Sequence, residues 1–246
     1  MLKGKNVIIT GTNRGIGKAM LEEFARNGAN IWAHARVETP EFLAVVNALA
    51  EKHEVKIWPI FFELTDYEAM KTAVKSIMDS KIPVDALINN AGITYNALFQ
   101  MSTVEHLRNQ LEVNFISVYI FTQYISKLMV RRKKGSIVNI ASTAAFDGNS
   151  GKSVYGAAKA AVAAMTDSIA AELGESGIRA NCIAPGITET DMLASMPEAV
   201  VAEAKATADM RRGGKPSEIA TTAVFLASDL SSYVTGQTIR VDGGIR

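Results

Sequence analysis

The 246-residue sequence holds a single cysteine, Cys182, so no intrachain disulfide is open to it. Cys182 sits in the apolar run IRANCIAPG with no histidine close in sequence, which reads as a small buried hydrophobe rather than a nucleophile. The three histidines, His34, His53 and His106, are scattered without ligand spacing, and no catalytic metal is expected. Charge of one sign is lacking too. A net charge of +1 and a pI near 7.8 give no general drive toward nucleic acid or a membrane surface. No apolar run approaches the roughly 18 residues of a membrane span. MLKGKNVIIT passes directly into an apolar strand without a signal-peptide core or cleavage site, so the cytoplasm is the expected location. No internal repeat or low-complexity linker divides the chain.

What is present is a hydrophobic fraction of 48%, enough for one large core, and a single domain over residues 1–246 is expected. Short runs rich in β-branched residues, KNVIIT, NIWAHA, KIWPIFF, ALINN, SIVNIA, RANCIAPG and QTIRVD, alternate with stretches of helical length. That alternation predicts an α/β fold, a doubly wound parallel sheet with helices on both faces.

Two motifs carry chemistry. KNVIIT ends in TGTNRGIG at positions 10–17 and is followed by the helix-like KAMLEEFARNG. Glycines at 11, 15 and 17 suit a tight turn, a close approach of backbone to a pyrophosphate, and close packing of helix on strand. The helix amino terminus would offer unpaired N–H groups to phosphates. The second motif places Tyr155 and Lys159 four residues apart, on one face of a helix over SVYGAAKAAVAAMTDSIAAEL. A nearby cation favours the phenolate, so Lys159 is expected to lower the Tyr155 pKa. Hydride transfer to a ketone leaves negative charge on oxygen, which calls for a proton donor and a second hydrogen-bond donor. Tyr155 suits the first role. Ser142, at the carboxyl end of the apolar strand SIVNIA, suits the second. A lone YxxxK is common on solvated helix faces; its conjunction with a dinucleotide signature points to nicotinamide-dependent redox chemistry.

TGTNRGIG, NNAG at 89–92, Asn114, Ser142, YGAAK at 155–159, APGITETDM at 184–192 and FLASDLSSYVTGQTIRVDGG at 225–244 together resemble the classical short-chain dehydrogenase/reductases over essentially the whole chain. Within them the chain looks most like the bacterial 3-oxoacyl-[acyl-carrier-protein] reductases. The resemblance implies a seven-stranded Rossmann fold. It implies Tyr155 as acid/base, Lys159 on the nicotinamide ribose, Ser142 on the substrate carbonyl, and Asn114 holding a water that relays protons to Lys159. It sets Gly11, Thr12, Asn13, Arg14, Gly15, Ile16 and Gly17 against the cofactor, with Asn90, Ala91 and Gly92 along its ribose and phosphate, and Pro185, Gly186 and Thr188 beside the nicotinamide. Glu63 stands where the family commonly has Asp; it would accept from the adenine amino group, next to the backbone of Leu64.

The strand ANIWAHA should end near the adenosine ribose, and there the chain offers Ala35 and Arg36 rather than an acid. With Arg14, Arg36 could grip a 2'-phosphate, so NADP(H) is the expected cofactor. Residues 188–216, with Met192, Met196 and Met210 and the alanine-rich PEAVVAEAKATADM, read as a substrate lid, or as a segment whose methionines merely fill core. RRKKG, with Arg131, Arg132, Lys133 and Lys134 before the Ser142 strand, is a candidate dock for an acidic acyl carrier protein beside the entrance, or a solvated helix end. Ser176 and Tyr95 depart from the basic residues common in the carrier-dependent reductases. Tetramers that pair the long helices FISVYIFTQYISKLMV and VYGAAKAAVAAMTDSIAAEL are implied by resemblance. Three readings stay open: a 3-oxoacyl thioester reductase of fatty-acid synthesis, a reductase of another small ketone, sugar or alcohol, and a non-catalytic NADP(H) sensor or scaffold.

Overall fold

The computed structural model describes residues 1–190, 193 and 198–245. Strands β1 (Asn6–Ile9), β2 (Asn30–Ala35), β3 (Ile57–Phe61), β4 (Ala86–Asn89), β5 (Gly135–Ile140), β6 (Ile178–Pro185) and β7 (Thr238–Val241) pair in parallel in the order 3-2-1-4-5-6-7. Each of the seven apolar runs in the sequence became one of these strands.

Successive residues of a strand face opposite sides, and a parallel sheet is covered on both. Val7 and Ile9 accordingly enter one core with Leu21 and Phe24 of α1 (Gly15–Arg26) and Val46 of α2 (Pro40–His53), while Ile8 enters the other with Met70 and Ile77 of α3 (Tyr67–Asp79). The helices begin where the sequence supplies caps: Thr39 Oγ1 accepts from Phe42 N–H at 3.2 Å, with Pro40 next, and Asp66 Oδ1 accepts from Ala69 N–H at 3.0 Å.

Helix α4 (Val104–Leu111) runs through a π-turn at Glu112–Ile116 into α5 (Ser117–Val130), forming one rod over Val104–Val130. By length and a mean hydropathy of 1.2 this rod qualifies as a membrane span, which no single apolar run in the sequence suggested. Phe121, Ile125 and Met129 instead bury its inner face against the sheet core, while Ile116, Tyr119 and Val130 stay exposed. Helix α6 (Ser153–Leu173) lies beside it; α7 (Glu198–Ala206) and α8 (Pro216–Ala227) follow, α8 packing against α1 through Ile219, Ala223 and Leu226.

Between the sheet and α6 runs a buried polar chain. Asn89 Nδ2 donates to Thr122 Oγ1 at 2.8 Å and to Asn139 Oδ1 at 2.7 Å, and Asn139 Nδ2 donates to Thr166 Oγ1 at 2.9 Å. Thr166 in turn donates to the Val162 carbonyl at 2.7 Å. The chain ties α5 and α6 to β4 and β5 and fixes their register. Replacing Asn139 with Ala orphans partners on both sides, and should lower stability by about 2–3 kcal/mol in urea unfolding. A change below 0.5 kcal/mol would show that the chain is not a structural tie.

Candidate active site

The glycine-rich turn is built around close contacts. A Cβ on Gly17 would lie 1.9 Å from the Gly11 carbonyl oxygen, and one on Gly11, whose φ is +71°, would lie 2.9 Å from Ala91 Cα. Only glycine permits this approach of α1 to β1 and β4. Thr10 locks it: its hydroxyl accepts from Asn90 and Ala91 N–H at 2.9 and 3.0 Å, while Asn90 Nδ2 donates to the Thr10 carbonyl at 2.9 Å. The Arg14 side chain, at the N-cap position, does not cap the amino terminus of α1. Gly15 and Gly17 thus leave the start of α1 without Cβ bulk on either side of Ile16, and the first-turn N–H groups have no cap from the Arg14 side chain, which fits a pyrophosphate.

His34, unremarkable in the sequence, is the strut behind this turn. Its Nδ1 accepts from Gly11 N–H at 3.2 Å, so its Nε2 carries the proton and donates to the Phe62 carbonyl at 2.9 Å. Thr12 Oγ1 adds a bond to the His34 carbonyl at 3.0 Å. Burial holds the imidazole neutral, its pKa lowered to about 4.

At the ribose end, Arg36 follows β2 and is exposed, as are Arg14 and Asn13. Glu63 faces Arg36 across 3.8 Å and its Oε1 accepts from Leu64 N–H at 3.0 Å. The Glu63 carboxylate is thus already engaged by its neighbours, a fact that bears on its expected adenine contact.

The four expected catalytic residues converge. Tyr155 and Lys159 lie one turn apart on α6, and Ser142 extends from β5 into the turn at 143–145. A Cβ on Gly156 would lie 2.5 Å from the Ala144 carbonyl oxygen, so glycine there lets α6 close onto the Ser142 turn. Lys159 is 4% exposed and its Nζ donates to the Ile140 carbonyl at 2.8 Å. The π-turn brings Asn114 opposite: its side chain bonds both backbone groups of Ile93 at 2.9 Å, and a Cβ on Gly92 would lie 2.7 Å from Asn114 Oδ1 and 3.5 Å from Lys159 Nζ.

The electrostatics differ from expectation in one respect. Burial raises the Tyr155 pKa, with the Ser142 hydroxyl pulling it back, and Lys159 lies 5.9 Å from the phenol ring without lowering it. Desolvation outweighs a cation whose own pKa burial lowers to about 8. A second cation went unnoticed in the sequence: Lys152, just ahead of α6, sits 5.4 Å from the Tyr155 ring centroid, and burial lowers its pKa as well. Cys182 is fully buried in β6, and burial pushes its thiol up to about 11, as suits an inert packing residue.

Pro185 ends β6, Gly186 N–H donates to the Val241 carbonyl at 3.0 Å, and Thr188 bridges to Gly214. Glu189 N–H to Gly214 O and Gly214 N–H to Ile187 O, both 2.8 Å, zip the stretch shut at its base, and Lys205 pairs with Glu189 at 2.8 Å. Met210 is exposed, so it does not fill core; Met192 and Met196 lie outside the described residues.

One expectation is corrected. Arg131, Arg132, Lys133 and Lys134 precede β5, and Ser142 follows it, so within the protomer this cluster lies at the opposite end of the sheet, about 20 Å away along six strand residues. It does not border the entrance to this chain's own site. Arg132 is moreover drawn inward, donating to the Val84 carbonyl at 3.1 Å and pairing with Asp85 at 3.3 Å. Ser176 also precedes its strand, β6, at that same far end.

A protein-family model described as Enoyl-(Acyl carrier protein) reductase matches residues 11–246. The 3-oxoacyl-[acyl-carrier-protein] reductase of Thermotoga maritima is 39% identical over 244 residues, 99% of this chain and 98% of that protein. The chain belongs to the short-chain dehydrogenase/reductase family. Family membership makes it an oxidoreductase of a nicotinamide-dependent class. It does not fix the substrate, because a 3α-hydroxysteroid dehydrogenase of Mediterraneibacter gnavus is 37% identical over 248 residues, 100% of this chain and 98% of that protein. The solved structure of a protein provisionally assigned as a gluconate dehydrogenase of Agrobacterium tumefaciens superposes with a TM-score of 0.93 at 32% identity, covering 98% of this chain and 96% of that one.

The buried His34 makes a pH prediction. Its folded pKa of about 4 lies below the unfolded 6.5, so its contribution is fully present above pH 6.5 and is lost as pH falls toward 4. The loss should reach up to about 3 kcal/mol, read as a falling urea midpoint. His34→Gln should lack this part of the pH dependence; an identical pH profile in the variant would contradict the strut.

Proposed function

We propose that the protein is an NADP(H)-dependent ketone reductase whose substrate is a 3-oxoacyl thioester on acyl carrier protein, giving the 3-hydroxyacyl product in fatty-acid synthesis. The observation that carries the redox part is the convergence of Ser142, Tyr155, Lys159 and Asn114 beside the glycine cradle. When bound, the nicotinamide supplies the hydride. Ser142 would orient the substrate carbonyl, and Tyr155 would deliver the proton to the oxygen as negative charge develops there. Lys159, buried and cationic near neutral pH, would hold the nicotinamide ribose and offset the charge left on Tyr155; Asn114 would link this site to solvent protons through a water.

The cofactor assignment rests on Arg36, which stands at the end of β2 where an acid would select a free ribose hydroxyl, with Arg14 beside the same turn. Residues 188–216, anchored at their base by the Thr188–Gly214 bridge, would close over substrate as a lid. The exposed apolar residues Ile116, Tyr119 and Phe146 on and beside the long helices suit a homotetramer, to be read by light scattering. A cytoplasmic location goes with this reading. The second reading, an oxidoreductase of a hydroxysteroid or another ring alcohol, draws on the nearly equal identity to the steroid enzyme.

NADPH oxidation with acetoacetyl thioesters on carrier protein and on coenzyme A, beside unrelated ketones and sugars, tests the substrate. Fastest turnover on the carrier-bound thioester is expected; activity confined to other carbonyls would move the protein to the second reading. Arg36→Asp should weaken NADPH use at least tenfold relative to NADH, since a charge-assisted bond contributes about 1.5–3 kcal/mol. An unchanged ratio would sink the phosphate role.

A further inference from the structure

Three side chains four residues apart on α4 and its π-turn, His106, Gln110 and Asn114, grip the loop after β4 at alternate positions. Asn114 takes both backbone groups of Ile93, as described above. Gln110 repeats the pattern one step on: its Oε1 accepts from Tyr95 N–H at 3.3 Å and its Nε2 donates to the Tyr95 carbonyl at 3.2 Å. Gln110 is only 1% exposed. His106 then stacks on the Tyr95 ring, centroids 3.8 Å apart and planes at 28°. Among the described residues that are not exposed, His106 Nδ1 is the one buried side-chain nitrogen or oxygen without a hydrogen-bond partner. A buried orphan of this kind is costly, and here it accompanies the stacking of two rings.

The loop has a second anchor. Ala97 N–H donates to the Gly151 carbonyl at 3.0 Å, and Gly151 lies four residues ahead of Tyr155. The segment 93–97 is therefore strapped between Asn114, beside Lys159, and the chain that leads into Tyr155. Tyr95 is the midpoint of the strap. Its backbone and ring are fixed, yet it remains 45% exposed, and Leu98 and Phe99 continue the apolar surface beyond it. Core packing does not call for a buried glutamine and a stacked histidine to hold an aromatic ring half in solvent. A binding site does, because a rigid ring offers contact area at small entropic cost.

We propose that Tyr95 is a specificity-determining residue, a pre-set wall of the substrate entrance that favours ketones with an extended apolar body over compact or polyhydroxylated ones. Gln110 and His106 are its positioning residues. The proposal deepens the ketone-reductase reading and rests on it.

The test measures NADPH oxidation with two matched pairs, acetoacetyl- against 3-oxododecanoyl-coenzyme A, and cyclohexanone against trans-1-decalone, in the full-length protein. The wild type should prefer the larger member of each pair in kcat/KM. Tyr95→Ala should cut that preference about tenfold through KM with kcat nearly unchanged, as expected for lost apolar contact. Tyr95→Phe should keep it, and Gln110→Leu, which leaves the ring but frees its backbone, should lose part of it in KM. NADPH binding, followed by fluorescence, should be equal in all four proteins. Equal losses on both members of each pair, or no loss in Tyr95→Ala, would overturn the proposal. If only the ketone pair is reduced, the thioester reading fails while Tyr95 is still judged on that pair. No turnover of any of the four would contradict the reductase reading and the Tyr95 wall together.

Discussion

A lysine ammonium shut away from water is the constraint around which the rest of this protein is arranged. Lys159 donates to a strand carbonyl, and no carboxylate among the described residues lies in ion-pair range of it. Lowering its pKa from 10.5 to about 8 corresponds to roughly 3 kcal/mol against the folded state at neutral pH. A buried cation without a carboxylate partner marks a candidate functional site. The neighbours are accordingly restricted: Gly92 leaves room for Asn114 and Lys159 to approach, a π-turn aims Asn114, and an inert thiol, Cys182, backs the site.

Much of the molecule serves to hold this site in place. The sheet, the glycine cradle, the His34 strut and the Asn89–Asn139–Thr166 chain fix distances to within a hydrogen bond. The loop at 93–99 lies beyond the carboxyl end of β4, the side on which open parallel sheets bind ligands. Relatives of nearly equal identity act on carrier-bound acyl groups and on steroids by name, as expected when a common redox centre is fronted by different loops.

Much of this was legible in the sequence for identifiable reasons. Each strand was a short β-branched run, and the helix from Ser153 to Leu173 was read to the residue because a glycine-alanine-rich face carried the Tyr155 and Lys159 spacing. What escaped was tertiary. His34 has no local signal, since its partners Gly11 and Phe62 are 23 and 28 residues away. Lys152 has no spacing in the sequence that sets it apart, and its contact with the Tyr155 ring exists only in the fold. Asn139, a lone amide in the apolar run SIVNIA, was the one visible hint of the buried polar chain. The basic cluster at 131–134 was misplaced because nearness to the Ser142 strand in sequence is nearness to its wrong end. The direction of the Tyr155 shift was misjudged because charge spacing is visible in a sequence and desolvation is not.

In the proposed reaction the buried cluster couples hydride transfer to protonation, and Tyr155 gives the proton. The most direct test compares the wild type with Tyr155→Phe, measuring NADPH affinity by fluorescence and kcat on whichever ketone the wild type reduces. Affinity should stay within about threefold while kcat falls at least about a hundredfold. A variant that binds NADPH equally and still reduces the ketone within tenfold of the wild-type rate would contradict this role of Tyr155.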